Sequence, residues 1–138
     1  MRLAPLALSI VVGMAAPAYA DIAGKWSGEG EGDLSAEITH IEADRYGVSL
    51  STIVPIGDTG GCAGGIDGEA LFTAEGGNFF VENEDYNPSE PQSYYNIRMC
   101  EISFKLTPDG KLITEEVEGC GYYHGAACGF SGKLTRID

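Results

Sequence analysis

The chain has 138 residues, 43% of them hydrophobic, and sets 21 acidic against 8 basic side chains for a formal charge of −13. Such a surplus of carboxylates repels nucleic-acid phosphates and anionic lipid headgroups, which excludes both as expected partners, and it attracts cationic ones. The length suits one domain with one core.

The first element is a leader. Arg2 supplies a positive charge, Leu3 to Met14 is an apolar run broken by Pro5 and Ser9, and Ala18-Tyr19-Ala20 is an A-x-A cleavage pattern. Residues 1–20 read as a secretory signal peptide, and the apolar run is too short to span a bilayer. No Cys follows Ala20, so a lipoprotein is not expected. Residues 21–138 are expected to form a single exported domain, periplasmic or secreted, monomeric and not inserted in a membrane. Loss of Arg2 takes the formal charge from −13 to −14.

After the leader, short alternating segments are separated by Gly, Asp, Asn and Pro, the pattern of an all-β domain. Ile22 to Gly28 carries Trp26. Leu34, Ala36 and Ile38 alternate with polar residues, as do Tyr46, Val48 and Leu50. Pro55 to Gly65 reads as a Gly-rich connection, Ile66 to Ala74 as a strand, and Glu75 to Asn78 as a turn before Phe79-Phe80-Val81. Glu82 to Ser93, with Pro88 and Pro91, reads as a long acidic connection. Ile102, Phe104 and Leu106 form an inner row, Pro108-Asp109-Gly110 a turn, and Leu112 to Val117 the returning strand. Phe130, Gly132, Leu134 and Arg136 form the last inner row. About eight antiparallel strands in a meander predict a closed barrel, with a β-sandwich as the alternative.

Cys62, Cys100, Cys120 and Cys128 remain after the leader, an even number that reads as two disulfides in an exported chain. The favoured pairing is Cys120–Cys128, which closes a short loop, with Cys62–Cys100. The other two pairings stay open.

Gly24-Lys25-Trp26 in the first strand, with Arg136 on the last, resembles the lipocalin and avidin group of barrels. The resemblance covers only the two ends of the exported domain. It implies that Trp26 closes the barrel floor beside Gly24 and that Arg136 stacks on the indole. It names no ligand.

The most distinctive stretch is Cys120-Gly-Tyr-Tyr-His-Gly-Ala-Ala-Cys128. Read as C-x3-H-x3-C it lacks the fourth ligand of a structural zinc site, so disulfides are expected and no metal. A stapled loop would hold Tyr122, Tyr123 and His124 at one rim as a candidate contact patch. Glu84 and Asp85, with Glu82 and Glu90, are candidate contacts to a cation or a basic protein. His40 falls inward by alternation from Leu34 unless a bulge intervenes, and it reads as a structural residue. Glu116 and Glu118 share a strand face by alternation, with Glu115 opposite. Such carboxylate pairs occur in any acidic chain. Motifs of the G-x-S-x-G and H-E-x-x-H kind are missing from the sequence. No catalytic residue and no cofactor are expected.

These features predict a non-enzymatic binding protein that docks on or inhibits a cationic protein such as lysozyme. In size, compartment and charge the chain resembles the small exported bacterial inhibitors of animal-type lysozyme. It departs from their Ser-Gly-x-x-Tyr motif, since Ser131-Gly132-Lys133-Leu134 has no Tyr. A small-ligand carrier with a lipocalin-like interior and a structural cell-envelope protein are the alternatives.

Overall fold

The structure, a computed structural model, describes residues 21–58 and 60–138; the signal-peptide assignment lies outside the described residues. Eight strands follow in chain order: β1 Gly24–Gly30, β2 Asp33–Glu42, β3 Arg45–Gly57, β4 Gly60–Leu71, β5 Gly76–Glu82, β6 Met99–Leu106, β7 Leu112–Glu118 and β8 Gly132–Arg136. Each pairs antiparallel with the next, and β1 pairs with β8 from Trp26↔Arg136 to Gly30↔Gly132, closing a barrel. The sandwich alternative is thereby set aside.

Alternation decides which side chains enter. Leu34, Ala36 and Ile38 of β2, Val48, Leu50 and Thr52 of β3, and Ile102 and Phe104 of β6 are buried, with exposed or half-buried residues between them. The interior is filled by side chains. Phe72 and Phe104 rings lie 5.3 Å apart, and Phe79 meets Phe104 edge-on at 6.1 Å. Trp26, Phe130, Leu112 and Leu134 complete the same buried cluster.

Because strand direction alternates, the connections fall at two ends. One end has short turns, at 43–44, 72–75 and 107–111, together with the segment preceding β1. Gly110, at φ 83°, turns the chain between β6 and β7. At this end Ile22 is buried and its carbonyl accepts a 3.0 Å hydrogen bond from Trp26 Nε1. The Arg136 guanidinium lies 4.5 Å from the centroid of the Trp26 ring, and its nitrogens donate to the Ala23 and Asp21 carbonyls. Gly24, at φ 144°, passes so close to Arg136 that a Cβ there would collide with the guanidinium.

The other end carries the long connections 83–98 and 119–131 and both disulfides. Two expectations are corrected here. The Gly-rich stretch from Pro55 to Gly65 is no connection but the end of β3 and the start of β4, paired through Val54↔Cys62 and Ser51↔Gly65. Ladder hydrogen bonds need only backbone, and small residues let another segment lie against this strand. Between β4 and β5 the ladder holds one register pair, Ala70↔Phe79. Beyond it the 121–128 segment takes the place of β5, with a bridge Gly64↔His124 and a 2.9 Å bond from Gly65 N–H to the Tyr123 carbonyl. A Cβ on Gly64 would stand 2.7 Å from His124 Cα.

The second correction is the disulfide pairing, which is Cys62–Cys128 and Cys100–Cys120. The β6–β7 register sets Glu101 beside Glu118, which brings Cys100 and Cys120 to a Cα separation of 4.5 Å. The bridge at Gly64 carries the far end of the segment to β4, where Cys62 and Cys128 stand 5.9 Å apart. Residues 120–128 thus cross from β6 to β4 instead of closing on themselves. Two disulfides fit an oxidising, exported environment.

Candidate functional site

The two long connections face each other across a cleft of about 430 Å³, within the range of ligand sites. Its walls are Tyr94 and Tyr95 from one connection, Tyr122 and His124 from the other, and Glu116 and Glu118 from β7; Asn83 and Cys120 also line it.

The tyrosine wall is exposed, with Tyr94 and Tyr95 79% and 80% accessible. Their rings stand edge to face at 5.1 Å. Tyr122 is anchored across the cleft by a 2.7 Å hydrogen bond from its hydroxyl to the Tyr95 carbonyl. The polar end of Tyr122 is therefore engaged within the protein.

Two buried asparagines hold the 83–98 connection. Asn96 Nδ2 donates to the Asn87, Glu90 and Pro91 carbonyls, and its Oδ1 accepts from Asn87 N–H at 2.8 Å. Asn83 Nδ2 donates to the Ile97 and Gly119 carbonyls, joining the two connections. The expected long acidic connection is thus a loop cross-tied by its own amides. Glu84 and Asp85 stand exposed in the turn that opens it, closed by Tyr86 N–H on the Asn83 carbonyl, outside the cleft lining.

The structure separates the residues of the Tyr-Tyr-His stretch. Tyr122 and His124 line the cleft. Tyr123 turns the other way, packs on the core and donates to the Glu82 carbonyl at 2.9 Å. Burial and the Glu84 carboxylate raise its phenol above the ordinary value. His124 meets the edge of Phe130 at 5.1 Å.

Glu116 sits at the mouth of the barrel. Its Oε1 accepts from Phe130 N–H at 2.7 Å and stands 2.7 Å from His124 Nε2. The imidazole N–H does not point along that line, so the contact is a close approach without a directed hydrogen bond. His124 Nδ1 lies 2.7 Å from the Gly125 carbonyl.

Glu118 departs from the expected face. A register shift between Glu101 and Ile102 pairs Ile102 with Glu116 and Glu101 with Glu118, leaving Val117 as a bulge. The extra residue reverses the alternation, so Glu116 and Glu118 take opposite faces of the strand. Val117 is exposed, and all three residues line the cleft.

His40 lies at the opposite end from His124. It keeps the inner-row parity of Ile38, paired with Tyr46 ahead of the bulge between His40 and Glu42, and stands exposed at the barrel's end, where Nε2 engages the Ala43 carbonyl at 2.7 Å and the ring packs 5.0 Å from Tyr46. Cys120 and Cys128, read above as part of a C-x3-H-x3-C spacing, belong to two different disulfides. No group of three or more His, Cys, Asp or Glu among the described residues could hold a metal ion.

Basic side chains are unevenly placed. Glu31, Asp58, Glu84, Asp85, Glu90 and Glu118 lie at the long-loop end with Arg98 and, at the start of β8, Lys133, whereas Lys25, Arg45, Lys105, Lys111 and Arg136 lie at the short-turn end among Asp21, Glu42, Asp44, Glu75, Asp109 and Asp138. Tyr94 and Tyr95 were not among the sequence-derived candidates. The signal for them was an aromatic pair inside a polar, Pro-bounded connection, where a core role has no strand to support it. Comparison with protein-family models, with curated proteins and with solved structures finds no match.

Proposed function

We propose that this protein is an exported, non-enzymatic binding protein that docks on a cationic protein through the long-loop end of its barrel, with lysozyme as the first partner to test. The observation that carries this reading is the placement of three exposed tyrosines within the acidic end of the molecule. Carboxylates at that end are balanced by few basic side chains, which favours approach of an oppositely charged partner there, and rigid aromatics supply contact area at small entropic cost. Cross-tied loops and two disulfides support a surface largely formed before binding. The reading includes cleavage of a leader after Ala20, a periplasmic or secreted location and a monomeric state. A carrier role has less support, because side chains fill the barrel interior.

The test is a titration of the oxidised domain with lysozyme at low and at moderate salt, beside a pull-down from envelope extract. The expected result is binding that weakens as salt rises. Glu84→Lys with Asp85→Lys is expected to slow association by about tenfold. Absence of binding at low salt removes lysozyme, and absence of any salt-sensitive protein partner removes the docking reading.

A further inference from the structure

We propose that the cleft between the 83–98 and 119–131 connections is a cage for a single cationic side chain, the guanidinium of an arginine or the ammonium of a lysine. The inference rests on the docking reading for where that side chain comes from, and on the cleft alone for its chemistry.

Three features select a cation. First, the walls are aromatic. Tyr94, Tyr95 and Tyr122 line one space, and the negative faces of aromatic rings attract cations. The hydroxyl of Tyr122 is held by the Tyr95 carbonyl, which fixes that ring in the wall. Second, the carboxylates are placed for it. Glu118 lines the cleft and has no ion-pair partner among the described residues, while Glu116 stands behind it. Third, the cleft is lined by no lysine or arginine, and its histidine is turned onto Glu116. An anionic ligand would meet two carboxylates and no free positive charge.

The floor is rigid. Cys120 is tied to Cys100, and Asn83, 2% exposed, clamps Ile97 and Gly119 through Nδ2 while its Oδ1 meets no donor. A long flexible side chain entering the cleft therefore loses its own rotamer freedom but orders little of the protein. The bulge at Val117 matters to this arrangement, since an unbroken strand would put Glu118 on the same face as Glu116.

The test uses isotope-labelled, oxidised domain and three small probes: acetyl-arginine amide, acetyl-lysine amide and the neutral acetyl-glutamine amide. Amide chemical shifts report where each binds. The expected result is saturable shifts at Tyr94, Tyr95, Glu118 and Tyr122 with the two cationic probes and none with the neutral one. Tyr122→Leu is expected to weaken binding by about 2- to 30-fold, Glu118→Gln by up to about fivefold, and Glu37→Gln, on the barrel wall, not at all. Equal shifts with the neutral probe, or shifts confined to the turn at Glu84 and Asp85, overturn the cage. Wild-type mapping needs no variant, so a poorly folding Tyr122→Leu leaves the test intact. The two proposals fail separately. Cationic probes in the cleft without lysozyme binding sustain the cage and remove that partner. Lysozyme binding unchanged by Glu118→Gln, with no probe in the cleft, removes the cage and sustains docking.

Discussion

Removing one disulfide at a time measures how the stapled segment holds the barrel. Cys62 and Cys128 are 66 positions apart and Cys100 and Cys120 are 20 apart. The chain-entropy relation assigns the longer loop about 4.4 kcal/mol and the shorter about 3.3 kcal/mol. A domain of this size unfolds with an entropy of about 0.25 kcal/mol/K, so the losses correspond to about 18 °C and about 13 °C in Tm. The variants are Cys62→Ala with Cys128→Ala, and Cys100→Ala with Cys120→Ala, so that no lone thiol remains to re-pair. Differential scanning calorimetry reads the midpoint, and peptide mapping of the unreduced parent reads the pairing. The longer loop is expected to cost more. Its loss also releases the segment that replaces β5 along β4, so hydrogen exchange should rise at Gly64 and Gly65 while the β2–β3 ladder stays protected. Equal Tm values for parent and Cys62/Cys128 variant would refute the reasoning, as would a peptide map showing Cys120 joined to Cys128.

Three further outcomes are expected. Thr52 and Thr114 are both buried on inner rows, but Thr114 Oγ1 donates to the Phe130 carbonyl at 2.6 Å whereas Thr52 Oγ1 meets no partner among the described residues. Thr114→Val should therefore destabilise by about 1–2 kcal/mol and Thr52→Val should be neutral or stabilising by up to about 1 kcal/mol; urea unfolding giving the same sign for both would contradict this. Gly24→Ala drives a Cβ into Arg136 at a positive φ, with an expected cost of about 1–3 kcal/mol and a red-shifted Trp26 emission as the stacked guanidinium moves away. The Tyr123 phenol, raised by burial and by Glu84, keeps its proton in the folded state while the unfolded chain loses it past about pH 10. The folded state then holds more protons, so this contribution is full below that pH and is lost as pH rises through the folded value. Glu84→Gln should move the tyrosinate absorbance titration toward lower pH, and an unmoved curve would separate Tyr123 from that carboxylate.

The strands were legible because their period is short and local. Leu34, Ala36 and Ile38 announce a buried face whatever lies opposite them. Barrel closure was legible only as a possibility, since it requires β8 to reach β1, which no local pattern states. Features that depend on register were not legible. Cys100 and Cys120 become neighbours through the pairing of Glu101 with Glu118, and one bulged residue, Val117, moves Glu118 to the opposite face from Glu116. The glycines of β4 looked like a connection because they offer no side chain to alternate. Their role becomes visible once the 121–128 segment is seen lying on Gly64. Tyr123 and Tyr122, adjacent in sequence, part company because one finds the core and the other finds the Tyr95 carbonyl.

The seam between β1 and β8 has a bearing on the order in which the barrel can form. Lys25 N–H bonds to the Asp138 carboxylate, Ile137 N–H to the Lys25 carbonyl, and Arg136 to the backbone of Asp21 and Ala23. Residues 132–138 thus secure the first strand, and the ring of hydrogen bonds cannot be completed until they are in place. Until then β1 has one ladder partner, β2, and Trp26 has no floor to close. A chain of this design stays open until its most distant strands meet, so the closing contact is also the one with the longest loop to order.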